Sequence, residues 1–203
     1  MDQATELFLR RGFSRVTTDE LAEAVGVSKK TIYLHFRSKE QLLRQAMERK
    51  MDRIRAHIQE IGDRPNISSV EKLKAMLGLV GVQFASLSSE PLQDISRKAP
   101  QIWRTIEESR SRIFHDNVGA VIQAGIREGA IRKDIDPKLI ADILLMIVQH
   151  ILNPEKLFVL SASAKEVFET VVKITYQGLL SENARKSFSA EDTVADVIGG
   201  TEG

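Results

Sequence analysis

Apolar residues in this chain recur at intervals of three and four, the spacing that lines one face of an α-helix. The breaks between such stretches are marked by glycine, proline and capping residues. Residues 1–11 read as a first helix, with Ala4, Leu7 and Phe8 on one side and Gly12 as its stop. Thr17 with Glu20 three positions on is a capping box, and it opens a second helix lined by Leu21, Ala22 and Val25. Gly26 should end that helix, because a residue without Cβ takes positive φ at little cost. Ser28 can cap a third helix almost at once, and Ile32 and Phe36 would turn that helix inward onto Leu21, Val25 and Val27.

The pattern continues beyond this compact start. Ser38 with Gln41 is a further capping box and opens a long helix over 38–61, with Leu43, Met47, Met51, Ile54, Ile58 and Ile61 on one stripe. Residues 62–66, Gly-Asp-Arg-Pro-Asn, are the plainest break. Ser68 with Glu71 caps the next helix; Pro91 suits the first turn of a short helix through Arg97. Pro100 starts a long helix to about Glu128, closed by Gly129. Asp136-Pro137 opens a helix over 139–152 that is apolar on nearly all sides, and Asn153-Pro154 breaks it. Ser163 with Glu166 caps a last helix, and the polar, glycine-ended stretch from about Glu182 is expected to be disordered.

The second and third helices, joined by about three residues, have the geometry of a helix-turn-helix. With Ile32 and Phe36 turned inward, the third helix presents Ser28, Lys29, Lys30, Thr31, Tyr33 and His35 elsewhere, and every one of them can donate a hydrogen bond. Hydroxyls and ammonium groups in such a cluster suit phosphate oxygens, and Lys30 and Thr31 can also reach base edges in a major groove. The plainer alternative is a solvated face on an ordinary helical hairpin.

These residues resemble a family. Leu7-Phe8 and Gly12-Phe13, followed by Thr17, Leu21-Ala22, Gly26-Val27-Ser28, Thr31-Ile32-Tyr33, His35-Phe36 and Lys39 at fixed offsets, resemble the N-terminal domain of TetR-type transcriptional regulators over roughly the first fifty residues. The resemblance implies an all-α protein: an N-terminal three-helix helix-turn-helix DNA-binding domain and a larger helical ligand-binding and dimerisation domain. It also implies a homodimeric, ligand-responsive repressor that reads a palindromic operator in double-stranded DNA. Thr17, Thr18, Ser28, Lys29, Lys30, Thr31, Tyr33, His35 and Lys39 are the expected DNA-binding residues, with Tyr33, His35 and Lys39 assigned to phosphate rather than bases. The expected domains are 1–48, 49–182 and a tail over 183–203.

Charge sharpens this picture. The net charge is +1, yet residues 1–50 hold ten Lys or Arg against seven Asp or Glu, a balance of +3 that leaves −2 for the rest. A mildly basic end on a mildly acidic body fits local phosphate contact better than indiscriminate coating of nucleic acid. Cysteine is absent, which excludes disulfides, thiolate catalysis and cysteine–metal sites. No secretory leader or membrane-spanning run is visible, so the cytoplasm is the expected compartment.

The remaining chemistry is thin. His35, His57, His115 and His150 form no metal-ligand spacing, Glu107-Glu108 diverge as helix neighbours, and no nucleophile-elbow, P-loop or dinucleotide motif occurs. No metal, cofactor or catalytic residue is expected; the competing readings are a helical protein-interaction adaptor or a small-molecule-processing enzyme. Phe84, Leu87, Trp103, Phe114, Val118, Met146 and His150 are the candidate lining of a largely apolar effector pocket, with core filling as the alternative for any one of them. Ile140, Ile143, Leu144 and Ile147, with Val167, Val171 and Ile174 of the last helix, are the candidate dimer interface, built as a four-helix bundle across two copies.

Overall fold

In the computed structural model, which describes residues 1–85, 89–151 and 164–186, the expected all-helical architecture holds. The helices are α1 (Asp2–Arg11), α2 (Thr18–Val25), α3 (Lys29–His35), α4 (Lys39–Asp63), α5 (Ser69–Ala85), α6 (Ser89–Lys98), α7 (Pro100–Arg127), α8 (Pro137–Met146), α9 (Ala164–Leu179) and α10 (Glu182–Lys186). A single antiparallel bridge between Ile131 and Leu180 is the only extended pairing among the described residues. No helix among them is long and apolar enough to cross a membrane.

The chain divides into two compact units, and the division is not at residue 48. The first comprises Met1–Ala56 together with Leu87–Arg110, the second His57–Ser86 with Ser111–Gly203. Helices α4 and α7 therefore each contribute residues to both.

In the first unit, Ala4, Phe8, Val16, Leu21, Ile32, Leu42, Leu43 and Met47 are buried, so α1, α2, α3 and the start of α4 share one apolar core. The buried hydroxyl of Thr5 is not left unmet: it donates to the carbonyls of Met1 (3.1 Å) and Ala46 (3.3 Å). Helix α6, which local pattern gave to the body, packs on α1 instead. Asp94 is its bracket, accepting the Ser14 backbone N–H and the Ser14 hydroxyl, each at 2.6 Å, and Arg15 reaches Glu90 at 2.6 Å. Burial pushes the Asp94 carboxyl up, but the Ser14 hydrogen bonds, the Phe13 backbone N–H and the Lys98 charge together hold the group below its ordinary value. Gly12 permits the approach: its φ is +83°, and a Cβ there would stand 2.8 Å from Oδ2 of Asp94.

In the second unit, Leu73, Met76, Leu77, Phe114, Val118, Ile122, Ile140, Leu144, Val172 and Tyr176 form the core. The expected Ser68–Glu71 capping box is present in both directions, and the buried Ser69 is held by Glu128 just past the end of α7 (hydroxyl 2.7 Å, backbone N–H 3.1 Å). At Gly129, φ +74°, the chain leaves α7, and the segment after it is tied to the end of α9 by Arg132 N–H to Leu179 O (2.9 Å) and Ser181 N–H to Ala130 O (3.0 Å).

Three local expectations need correction. The Ser38 box forms only by half: Ser38 Oγ accepts the Gln41 N–H, but the Gln41 side chain takes the N–H of Arg37. The helix that Asp136-Pro137 opens is capped as expected, but it is α-helical only to Met146 and continues as a π-helical turn over Ile147–Ile151. The expected disordered tail begins with helix α10; residues 187–203 lie outside the described residues.

Candidate nucleic-acid interface

The geometry around α3 follows from a sequence of local stops and starts. Thr17, in extended conformation, accepts the Glu20 N–H on its hydroxyl (3.2 Å), while Glu20 Oε2 accepts the Thr17 N–H (2.8 Å), so both halves of the box close. Arg11 pairs with Glu20 as well. The Thr17 backbone N–H, then its hydroxyl, then Arg11 hold the Glu20 carboxyl below its ordinary value. Gly26 takes the left-handed conformation, φ 76°, and the N–H groups of Gly26 and Val27 return to Glu23 O (3.1 Å) and Ala22 O (2.9 Å). Ser28 then caps α3 by accepting the Thr31 N–H at 3.0 Å. Buried Ile32 anchors this seven-residue helix, and the chain leaves it extended at Phe36.

Several expected DNA contacts already have partners within the fold. The Lys29 ammonium sits 2.9 Å from Asp19, and that hydrogen bond holds its proton above the ordinary lysine range. Lys39 donates to the Val16 carbonyl at 2.8 Å and lies 4.4 Å from the centre of the Phe13 ring, bracing the α1–α2 connection. Thr17 is engaged in its cap, and the hydroxyls of Ser28 and Thr31 face each other at 2.8 Å. Lys30, Tyr33 and His35 remain exposed, with Thr18 3.4 Å from the Tyr33 hydroxyl. Sequence reasoning passed over a neighbour of these: Leu34, 79% exposed, is the most uncovered large apolar residue described. Its signal was there, since Ile32 and Phe36 define the inner face of α3 and Leu34 falls between them on the opposite side.

The uncovered face of α3 thus combines an ammonium, a phenol and an imidazole with one isobutyl group. That set can hold phosphate oxygens by the first three and lie against a thymine methyl by the fourth. Residues 1–46 match the family profile described as bacterial regulatory proteins, tetR family. The chain is a transcriptional regulator whose N-terminal domain is of the TetR type.

Comparison of this regulator with known proteins extends beyond the reading head. The HTH-type transcriptional regulator YvaF of Bacillus subtilis is 24% identical over 179 residues, 87% of this chain and 91% of that protein. The HTH-type transcriptional repressor KstR2 of Mycobacterium tuberculosis is 25% identical over 146 residues, 69% of this chain and 71% of its own. Among solved structures, a γ-butyrolactone receptor described as ArpA-like superposes with a TM-score of 0.65 at 18% identity, covering 98% of this chain and 94% of that one. At that identity the likeness is one of fold.

The other candidate residues of the regulator fall as follows. The side chains of Phe84 and His150, and all of Leu87, lie outside the described residues. Trp103 belongs to the first unit, whereas Phe114, Val118 and Met146 belong to the second, where Phe114 and Val118 are buried and Met146 is exposed. The second unit does contain a cavity of about 410 Å³, but its lining is Gln59, Asp63, Ser69, Lys72, Asp116, Asn117 and Glu128 with a few apolar residues, and it includes none of the expected set. Of the expected interface, Ile140, Leu144 and Val167 are buried within the single chain, Ile147 and Val171 are half-buried, and Ile143 and Ile174 are exposed, the latter by 66%. No group of three or more potential metal ligands occurs among the described residues.

Proposed function

We propose that this regulator is a homodimeric, ligand-responsive repressor acting in the cytoplasm. The observation that carries the reading is the uncovered face of α3, where Lys30, Tyr33, Leu34 and His35 make no ion pair with any described residue, on a helix anchored by Ile32. A pair of such helices related by a two-fold axis would read a palindrome with half-sites one or more turns apart, ~34 Å per turn. The second copy would cover the apolar residues that α8 and α9 leave exposed, Leu139, Ile143, Met146 and Ile174. The names of the relatives support the direction of regulation and the presence of an effector: KstR2 is a repressor, and the ArpA-like protein a receptor.

Helix α4 runs unbroken from Lys39 to Asp63 and so leads from the reading head into the second unit. An effector that binds one spacing of the two heads better than the other would shift the population between them. Footprinting across DNA upstream of the protein's own gene and its neighbours locates the operator. Fluorescence anisotropy on that fragment should then show log K falling linearly and steeply with log salt, as counterions leave the phosphates. A protein that protects no segment, or whose binding ignores salt, contradicts the reading.

A further inference from the structure

The inward stripe on the first turns of α7 runs Ile102, Ile106 and then, where another apolar residue is due, Arg110, before resuming at Ile113. The consequence is a cation in an unusual setting. Nε of Arg110 is shut off from solvent and has no hydrogen-bond partner, the sole such buried side-chain nitrogen or oxygen among the described residues. The guanidinium makes no hydrogen bond or ion pair with any described residue; it lies over the Trp103 ring with its carbon 5.6 Å from the centroid. Glu107, one turn away, does not take it up, because its carboxylate accepts the Trp103 indole N–H at 3.0 Å. Burial presses the Arg110 guanidinium toward losing its proton more than Glu107 opposes. Arginine holds its proton regardless, so the charge needs an anion rather than neutralisation.

We propose that Arg110 is the anchor for the acidic group of the effector, an oxyanion such as a carboxylate carried on an apolar body that lies along Trp103. This rests on the ligand-responsive reading above and names the effector's chemical class. A guanidinium offers two parallel N–H donors matched to two oxygens of one oxyanion, and the indole already flanks it. Glu107 keeps the indole oriented and repels a second anion, so the site takes a single charge. Leaving such a donor unmet in a folded protein is uncommon, which is why an absent partner points to a ligand here.

The test uses the full chain and two dyes of one ring skeleton, anilinonaphthalene sulfonate and phenylnaphthylamine, which differ by the sulfonate. Trp103 is the only tryptophan in the sequence, so quenching of its emission reports occupancy at this turn of α7. The sulfonate should quench Trp103 and bind about tenfold or more tighter than the neutral dye, the worth of a hydrogen bond to a charged group. Arg110→Met should abolish that preference while the neutral dye binds as before, and Arg110→Lys should keep part of it. Equal affinity of the two dyes for the unaltered protein, or a preference that survives Arg110→Met, overturns the proposal. Should Arg110→Met fail to fold by circular dichroism, the two-dye comparison on the unaltered protein and on Arg110→Lys decides it. Operator binding measured on the same samples separates the two readings. A protein that binds no DNA yet prefers the sulfonate sinks the repressor alone, whereas one that binds DNA and shows no preference sinks the anion site alone.

Discussion

Helices α3 and α8 are both short, both anchored by buried isoleucine, and both uncovered on the opposite face, yet the uncovered faces could hardly differ more. Behind Ile32, α3 shows Lys30, Tyr33, Leu34 and His35; behind Ile140 and Leu144, α8 shows Leu139, Ile143 and Met146. An uncovered face that can donate hydrogen bonds is stable in water and waits for phosphate and base edges. One that cannot is an exposed apolar patch of the kind a second protein surface covers. The difference teaches that the partner of a helix is written in the side it leaves unburied, and that the chemistry of that side tells the two apart.

The sharpest way to break the comparison is to put a charge on the apolar face. Ile143→Asp should turn the proposed dimer into a monomer by sedimentation equilibrium. Because one reading head cannot use the other's anchorage, operator affinity should fall by about a hundredfold or more. A dimer that survives the change places the interface elsewhere. Next in size are changes on the polar face, which should leave the dimer intact. Lys30→Ala should weaken binding to every sequence and reduce the salt slope by about one, the signature of a lost phosphate contact. Leu34→Ala should leave the slope alone and relax the preference for one base pair, most visibly when thymine is replaced by uracil in the operator. If the two variants behave alike, Leu34 does not read sequence.

A third pair of changes tests how each unit is built rather than what it meets. Gly12 and Gly26 both have positive φ, but a Cβ at Gly26 meets nothing within 4 Å, whereas one at Gly12 runs into Asp94. Gly26→Ala should therefore cost only the left-handed strain, about 1 kcal/mol, and Gly12→Ala appreciably more. Urea midpoints of the two variants check the order; equal losses would mean that the Asp94 bracket gives way freely.

These contrasts also show what a sequence reveals of such a protein. The reading head was legible because each boundary is made by residues within four positions of each other: the Thr17–Glu20 box, the left-handed Gly26, the Ser28 cap. The attachment of α6 was not, because Asp94 and Ser14 stand 80 positions apart and neither has a pattern that names the other. The surroundings of the cations were not legible for the same reason. Lys29 and Lys39 looked as free as Lys30, and only the fold brings Asp19 to the first and the Val16 carbonyl to the second. On α8 the apolar pattern announced burial on all sides but could not divide it between Ile140 and Leu144, which this chain buries, and Ile143, which it does not. Arg110 did leave a trace, an arginine interrupting an isoleucine stripe, although nothing in the pattern said that its charge would be unpartnered.

The smallest expected effect concerns pH, and its sign follows from the capping box. Glu20 is held below its ordinary value in the folded head by the Thr17 N–H, the Thr17 hydroxyl and Arg11. The unfolded chain therefore binds a proton at this carboxyl more readily, and stability rises with pH across the interval between the folded and unfolded values. The contribution is complete above the ordinary glutamate value and is lost as pH falls through the depressed one. Glu71, Asp94 and Asp134, the last lowered to about 2 beside Arg132, drift in the same direction, so the melting curve of the unaltered protein cannot isolate Glu20. Glu20→Gln can, because the amide oxygen still accepts the Thr17 N–H but does not titrate. The melting temperatures of the two proteins should differ most at neutral pH and converge as the solution is taken below the carboxylate range. A constant gap at every pH would mean that Glu20 contributes only as a neutral acceptor, with no help from its charge or from Arg11. The α3 side of the comparison would then rest on the geometry of the cap alone.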